Sequence, residues 1–320
     1  MRRAAALVAI PLLAAVAIAG CGSSSSSKPA AAAPSDTYTS VTVSGTFNKS
    51  PKVTIPKETG SGNLYTKTVI QGTGAKLTST EGMIANYVAY DWSGKTSKLL
   101  GSSYTQGSPS IFVGSLLPGL ETALVGQKLG SRVLAVIPPK DAFGTSGNST
   151  EGIGANDTLV FVIDMISTFG TSSVPGTQAS NGGGALPTVT APAAGSTAGP
   201  TIKIPAKTTA PKTLQVKTLI KGTGAVVKKG DDIAVQYNGY IWRTGKSFQS
   251  SWTSTGPFTT VIGEGQVIPG WDTGLVGQTV GSRVLLVIPP KDGYGSAGSS
   301  SAGIKGTDTL VFAVDILAAT

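Results

Sequence analysis

The 320-residue chain repeats itself at an offset of about 150 residues, and this duplication limits its possible folds more than any other feature. "KTVIQGTGA" at 67–75 faces "KTLIKGTGA" at 217–225, and "LVGQKLGSRVLAVIPPKD" at 124–141 faces "LVGQTVGSRVLLVIPPKD" at 275–292. "GIGANDTLVFVID" at 152–164 faces "GIKGTDTLVFAVD" at 303–315, and "PKVTIPK" at 51–57 faces "PTIKIPA" at 200–206. A period this long exceeds a solenoid unit. The expectation is two tandem domains, each large enough to bury its own core.

Each copy reads as strands separated by turn chemistry. "DDIAVQYNGYIW", "SRVLLVIP" and "DTLVFAVDIL" are β-branched or aromatic runs of strand length, bounded by Gly, Pro and Asp. Only "GWDTGLVGQT", opened by Pro269-Gly270, reads as a short helix, with Trp271 and Leu275 sharing one face. A sheet with one short helix laid across it is an α+β domain. The segment 170–199 is dominated by Gly, Ser, Pro and Ala, which predicts a linker between a first domain at 49–169 and a second at 200–320.

The chain has no histidine, and Cys21 is its only cysteine. Ser-His-Asp and Cys-His catalysis, histidine metal sites, thiolate zinc clusters and internal disulfides are therefore excluded. Neither a cofactor nor a metal is expected. The formal net charge is +9, but the lysines are scattered and no block of like charges forms. Nucleic-acid binding needs a concentrated basic face, so no nucleic-acid partner is expected.

Residues 1–21 place Arg2 and Arg3 ahead of an apolar run of secretory-signal length. The run ends in Ile18-Ala19-Gly20-Cys21, which resembles a bacterial lipobox and implies lipid attachment to Cys21. The expected setting is the cell membrane, with a lipid anchor and the protein facing outside the cytoplasm. Residues 22–48 begin in a low-complexity Ser/Ala/Pro tract and are expected to be a flexible stalk.

"YNGYIWRTGKSFQSSW", "VIPGWDTGL", "PPKDGYG" and "DTLVF" occur in the second copy in this order. Together they resemble the FK506-binding-protein (FKBP-type) peptidyl-prolyl cis-trans isomerases, over essentially all of 200–320 and more loosely over 50–168. The resemblance implies two tandem FKBP-like domains, each an antiparallel sheet wrapped around a short helix. It also implies non-covalent catalysis by an aromatic pocket in the second. The implied pocket has Trp271 as floor, with Tyr237, Phe248, Phe258 and Phe312 as walls and Val267 and Ile268 alongside. Ile268 N–H and the Tyr294 hydroxyl are implied as donors, and Ile304 is contributed from the loop before the last strand. The family usually has Asp after the wall Phe, where this chain has Gln249. Proline-containing or unfolded polypeptides are the implied partners, with FK506-like macrolides as a second ligand class; extracytoplasmic protein folding is the implied role. A non-enzymatic peptide-holding lipoprotein is the alternative.

The first copy keeps Tyr87, Phe161 and Ile153 at the positions of Tyr237, Phe312 and Ile304. It has Leu120 for Trp271, Phe143 for Tyr294, and Leu116 and Leu117 for Val267 and Ile268. Leu100 aligns with Phe248, and Pro109 or Ser110 with Phe258. The stretch between Val113 and Leu116 is two residues shorter. A leucine cannot supply a flat indole floor, so a degenerate site is expected there. "GKS" at 245–247 ends like a phosphate-binding loop, but Tyr240 stands where the first glycine belongs, and the stretch is expected to be a hairpin turn.

Overall fold

The computed structural model describes residues 37–114, 116–179, 185–192, 198–254 and 256–320. The expected leader, Cys21 and most of the expected stalk lie outside the described residues. In the first repeat, β1 (Thr42–Ser44) and β2 (Lys52–Thr54) form an antiparallel hairpin. There follow β3 (Tyr65–Ile70), β4 (Glu81–Ser93), β5 (Thr96–Ser102), the one-turn α1 (Ser103–Gln106) and β6 (Ser110–Phe112). The repeat is completed by α2 (Pro118–Leu124), β7 (Arg132–Ile137) and β8 (Thr158–Gly170). The strand order is β3-β7-β8-β4-β5, with β6 also paired to β4.

The second repeat opens with the hairpin of β9 (Thr188–Thr190) and β10 (Thr201–Lys203). Its sheet holds β11 (Gln215–Ile220), β12 (Asp232–Ile241), β13 (Lys246–Ser250) and β14 (Phe258–Val261). Then come α3 (Pro269–Leu275), β15 (Arg283–Ile288) and β16 (Leu310–Ala319). The strand order is β11-β15-β16-β12-β13, with β14 beside β12, so the two sheets share one plan. Pro118 and Pro269 start α2 and α3 at the position where a missing N–H costs nothing.

Both sheets are buried on both faces. Every residue of β7 and of β15 is buried. Alternation along β15 sends Val284, Leu286 and Ile288 to one face, where they pack with Trp271 and Leu275 of α3. Leu285 and Val287 point the other way, into a second core with Val189, Ile202, Leu219 and Trp242. In the first repeat Leu134 and Val136 likewise join Tyr38, Val41 and Trp92. The Trp92 indole N–H donates to the Glu58 carbonyl at 3.0 Å, and that of Trp242 to the Thr208 carbonyl at 3.3 Å.

The covering residues come from segments expected to be unstructured. Tyr38 and Val41 precede the expected domain start at 49, and Val189 lies inside the expected linker; all three are buried. The physical reason is that a sheet apolar on both faces needs a cover on both.

Each sheet is also crossed by a buried ion pair. Arg283 and Asp315 stand opposite each other in the β15–β16 register, with Nε–Oδ1 at 2.6 Å and Nη2–Oδ2 at 2.8 Å. Arg132 and Asp164 repeat the arrangement across β7 and β8, at 2.6 and 2.7 Å. All four side chains are at most 1% exposed. Residues outside the two strands supply further hydrogen bonds, although Arg132 Nη1 is left without a partner. Asp315 accepts from Val174 N–H and the Ser173 hydroxyl, both at 3.0 Å, and Arg283 Nη1 donates to Gln178 Oε1 at 3.2 Å. Asp164 accepts from Asn48 N–H and, at 2.7 Å, the Tyr104 hydroxyl, while Arg132 Nη2 donates to the Lys49 carbonyl at 2.6 Å.

A third carboxylate diverges between the copies. In the second repeat Arg243 forks onto Asp308 at 2.7 and 2.9 Å and holds its carboxyl below the usual range. The first repeat's counterpart, Asp157, instead interacts with Asp91, which occupies the core position of Ile241. Asp91 is 6% exposed and its Oδ1 has no hydrogen-bond partner. Burial first, and Asp157 second, push its carboxyl up to about 6, against the opposing charge of Lys98.

Two outcomes are expected. Asp315→Ala strands the Arg283 guanidinium in a dry site and should cost about 3–5 kcal/mol in denaturant unfolding of the second repeat. For Asp91 the folded state binds the proton more tightly than the unfolded chain, whose carboxyl titrates near ~4. Its contribution to stability is therefore fully present below about pH 4 and lost as pH rises through about 6, a change on the order of 2 kcal/mol. Unfolding of the first repeat at a series of pH values should show that slope, and Asp91→Asn should remove it.

Candidate active site

In the second repeat, β12, β14, β16 and α3 bring four aromatic rings together. Trp271 is 4% exposed, held by the first turn of α3, where its N–H donates to the Ile268 carbonyl at 2.9 Å. Tyr237 stands edge-on to Trp271 at 5.2 Å and 87°, and Phe312 at 5.3 Å and 86°. Phe258 meets Trp271 at 6.1 Å and 80° and Tyr237 at 6.0 Å and 78°. These are favourable edge-to-face arrangements, and they leave the indole as a flat floor between upright walls.

The rings enclose a cavity of about 420 Å³. Tyr237, Gln249, Phe258, Val267, Ile268, Trp271, Tyr294 and Phe312, all expected from the sequence, line it together. Phe248 and Ile304 do not. Phe248 lies behind Phe312, ring edge to ring face at 5.7 Å and 83°, so it supports a wall without being one. Ile304 exchanges backbone hydrogen bonds with Ser299, at 2.8 and 2.9 Å, and is buried in the core. Gly265 and Gln266 also line the cavity and were not expected. The signal for them was the pair of residues that the second copy has and the first lacks.

The lining contains no charged side chain. Burial, followed by the neighbouring Tyr294, pushes the Tyr237 hydroxyl up to about 12, so it stays protonated and available as a donor. Among the described residues, Ile268 N–H meets no acceptor and is a second donor at the rim. Tyr294, 39% exposed, stands at the mouth. The site can hold an apolar ring and offer hydrogen bonds to carbonyls. It has no nucleophile and no general acid–base pair.

The first repeat keeps the frame and changes the lining. Ser103 Oγ accepts the Tyr87 N–H as Ser251 Oγ accepts that of Tyr237, at 2.9 and 2.7 Å. Strand register resolves two alignments. Ser110 pairs with Ala85 as Phe258 pairs with Val235, so a wall ring becomes a hydroxyl. Gly101 pairs with Ala89 as Gln249 pairs with Gly239, so the rim amide is lost. The last exchange is coupled to packing. A Cβ on Gly239 would lie 2.8 Å from Phe312 and 2.9 Å from Phe248, whereas the first repeat carries Ala89 and the smaller Leu100. Leu117, Leu120, Ile153 and Phe161 are buried, and Tyr87, Leu100, Leu116 and Phe143 are partly exposed.

Comparison with known proteins agrees with the repeat. A sequence profile of the family described as FKBP-type peptidyl-prolyl cis-trans isomerase matches residues 79–166 and 224–317. "FK506-binding protein" of Streptomyces anulatus is 38% identical over 108 residues, covering 34% of this chain and 87% of that protein. "Peptidyl-prolyl cis-trans isomerase FKBP9" of Rattus norvegicus is 28% identical over 205 residues, 64% of this chain but only 29% of that longer protein. The crystal structure of the three FKBP domains of wheat FKBP73 aligns with 81% of this chain and 95% of that one, at 21% identity and a TM-score of 0.32. With matches in both copies that together span more than half its length, the chain belongs to the FKBP-type peptidyl-prolyl cis-trans isomerase family, as two tandem α+β domains.

Proposed function

We propose that the second repeat catalyses cis/trans exchange of X-Pro bonds and that the first repeat has lost this activity. The observation that carries the reading is the cavity over Trp271, apolar at its floor, walled by edge-on rings and free of charged side chains. Rotation about an X-Pro bond meets a barrier of about 18–20 kcal/mol because amide resonance must be broken. That resonance separates charge, and water stabilises it. A dry aromatic pocket withdraws the stabilisation and so favours the twisted, less polar transition state. Trp271 supports the proline ring, while Ile268 N–H and the Tyr237 and Tyr294 hydroxyls orient the flanking carbonyls. FK506-like macrolides, which would present an apolar ring and carbonyls to the same groups, form the second ligand class.

The cellular reading rests on the sequence. The run from Arg2 to Cys21 favours a lipid-anchored protein outside the cytoplasm, acting on proline-containing chains that fold there. Leu120, Ser110 and Gly101 at the altered positions favour peptide holding or spacing as the role of the first repeat.

Exchange on a short X-Pro peptide, measured with the full folded chain, tests the catalytic assignment. Trp271→Leu should lower kcat/KM at least about tenfold, a loss of 1.36 kcal/mol or more in transition-state stabilisation. Phe143→Leu, in the first repeat, should leave it unchanged. A folded but inactive wild-type chain would leave peptide holding by both repeats as the function. For the anchor, Cys21→Ser should move the protein from the membrane to the soluble fraction and abolish incorporation of labelled fatty acid.

A further inference from the structure

We propose that Asp272 is the positioning residue of the pocket: it holds the 263–268 loop as a fixed rim against which the peptide docks. The proposal rests on the isomerase reading for its rate effect, but its structural content stands independently.

Asp272 follows Trp271 in the first turn of α3 and is half-buried. Its Oδ1 accepts the Gly263 N–H at 2.7 Å and its Oδ2 the Gly265 N–H at 2.8 Å. Both glycines are left-handed, with φ of +81° and +75°, which turns two alternate amides toward one carboxylate. Such charge-assisted bonds are about twice as strong as neutral ones. Gly265 and its three successors Gln266, Val267 and Ile268 all line the cavity, so one side chain fixes the start of a four-residue rim. The rim ends at Ile268, whose free N–H precedes Pro269 and the helix. Asp272 thus ties the start of the rim to the helical turn that carries the floor and into which the rim's other end runs.

No other charged group substitutes for this tie. Lys229 and Glu264 pair across the loop at 3.5 Å, but their side chains are 68% and 48% exposed, where such pairs contribute little. The first repeat supplies an internal comparison. There Glu121 occupies the Asp272 position and is exposed, and the loop is two residues shorter. A rim of this kind is useful because a peptide that meets an ordered edge has less ordering to impose on binding. Removing the tie therefore acts first on binding.

The experiment uses the full chain and the series Asp272→Asn and Asp272→Ala, with Lys229→Ala and Val287→Ala as controls. Wild type and each variant are compared for kcat and KM on an X-Pro peptide, for amide exchange at Gly263, Gly265 and Ile268, and for unfolding in denaturant. Binding of the same peptide is read from the Ile268 amide resonance, which works whether or not the chain is catalytic. Asp272→Ala should raise KM, and the peptide dissociation constant, by about tenfold or more with kcat little changed. Asn keeps one acceptor oxygen and should fall between. Protection of the Gly263 and Gly265 amides should fall in parallel, while Lys229→Ala, which removes only the exposed pair with Glu264, changes none of these values. Val287→Ala removes packing on the opposite face of the sheet, so it lowers stability without touching the loop. The proposal is overturned if Asp272→Ala leaves binding and amide protection unchanged, or if Val287→Ala weakens binding as much at equal loss of stability. An inactive wild-type chain whose peptide binding still depends on Asp272 would sink the isomerase reading alone.

Discussion

The buried guanidinium–carboxylate pair, across β7 and β8 in one repeat and β15 and β16 in the other, is the constraint on which each repeat depends. Taking both ions out of water costs several kcal/mol apiece, and only near-complete hydrogen bonding offsets it. Arg283 and Asp315 lie opposite each other in register and use two bonds on one another. Ser173, Val174 and Gln178 meet the remaining valences of that pair, while Asn48, Lys49 and Tyr104 serve Arg132 and Asp164 and leave Arg132 Nη1 without a partner. The pair therefore does more than lock two strands. It also anchors the outer cover, through the turn of the β1–β2 hairpin in the first repeat and through the stretch ahead of the β9–β10 hairpin in the second.

With the frame fixed this way, the inner face is free to diverge. Both repeats retain the strand order, the helix begun by proline and the serine that accepts the β4 or β12 amide. The changes that separate them are concerted. A glycine at 239 admits Phe248 behind Phe312; an alanine at 89 goes with Leu100. Trp271, Phe258 and Gln249 give way together to Leu120, Ser110 and Gly101, and the loop before the helix shortens. Such a set follows when packing couples neighbours, because a single aromatic lost from an interlocked cluster leaves a void that the others cannot fill.

The two-fold repeat, the strands and the short helix were legible because they depend on local pattern: β-branched runs, turn residues and Pro269-Gly270. The cavity lining was legible because its motifs are compact in sequence. That Phe248 and Ile304 stand outside the cavity lining was not legible, because whether a side chain faces a cavity or packs beside it depends on tertiary packing, which spacing does not encode. Asp272 was equally opaque, as a carboxylate in a first helical turn has an ordinary reason to be there. The outer cover was hidden by composition. Segments rich in Ser, Ala and Pro read as tethers, yet "RVLLVI" lacks the polar alternation of a sheet with one wet face. That unbroken run was the available signal that something had to lie on the other side.

The separation in sequence of the groups around each ion pair has a consequence for synthesis. Asn48 reaches Asp164 across 116 positions, and Val174 reaches Asp315 across 141. The segment that emerges first in each repeat cannot seat until the final strand has been made. Contacts so distant delay closure, since the chain entropy is lost before the contacts repay it. Each repeat thus spends its whole emergence with its sheet uncovered. By this connectivity each repeat completes its fold only when its own final strand has been made.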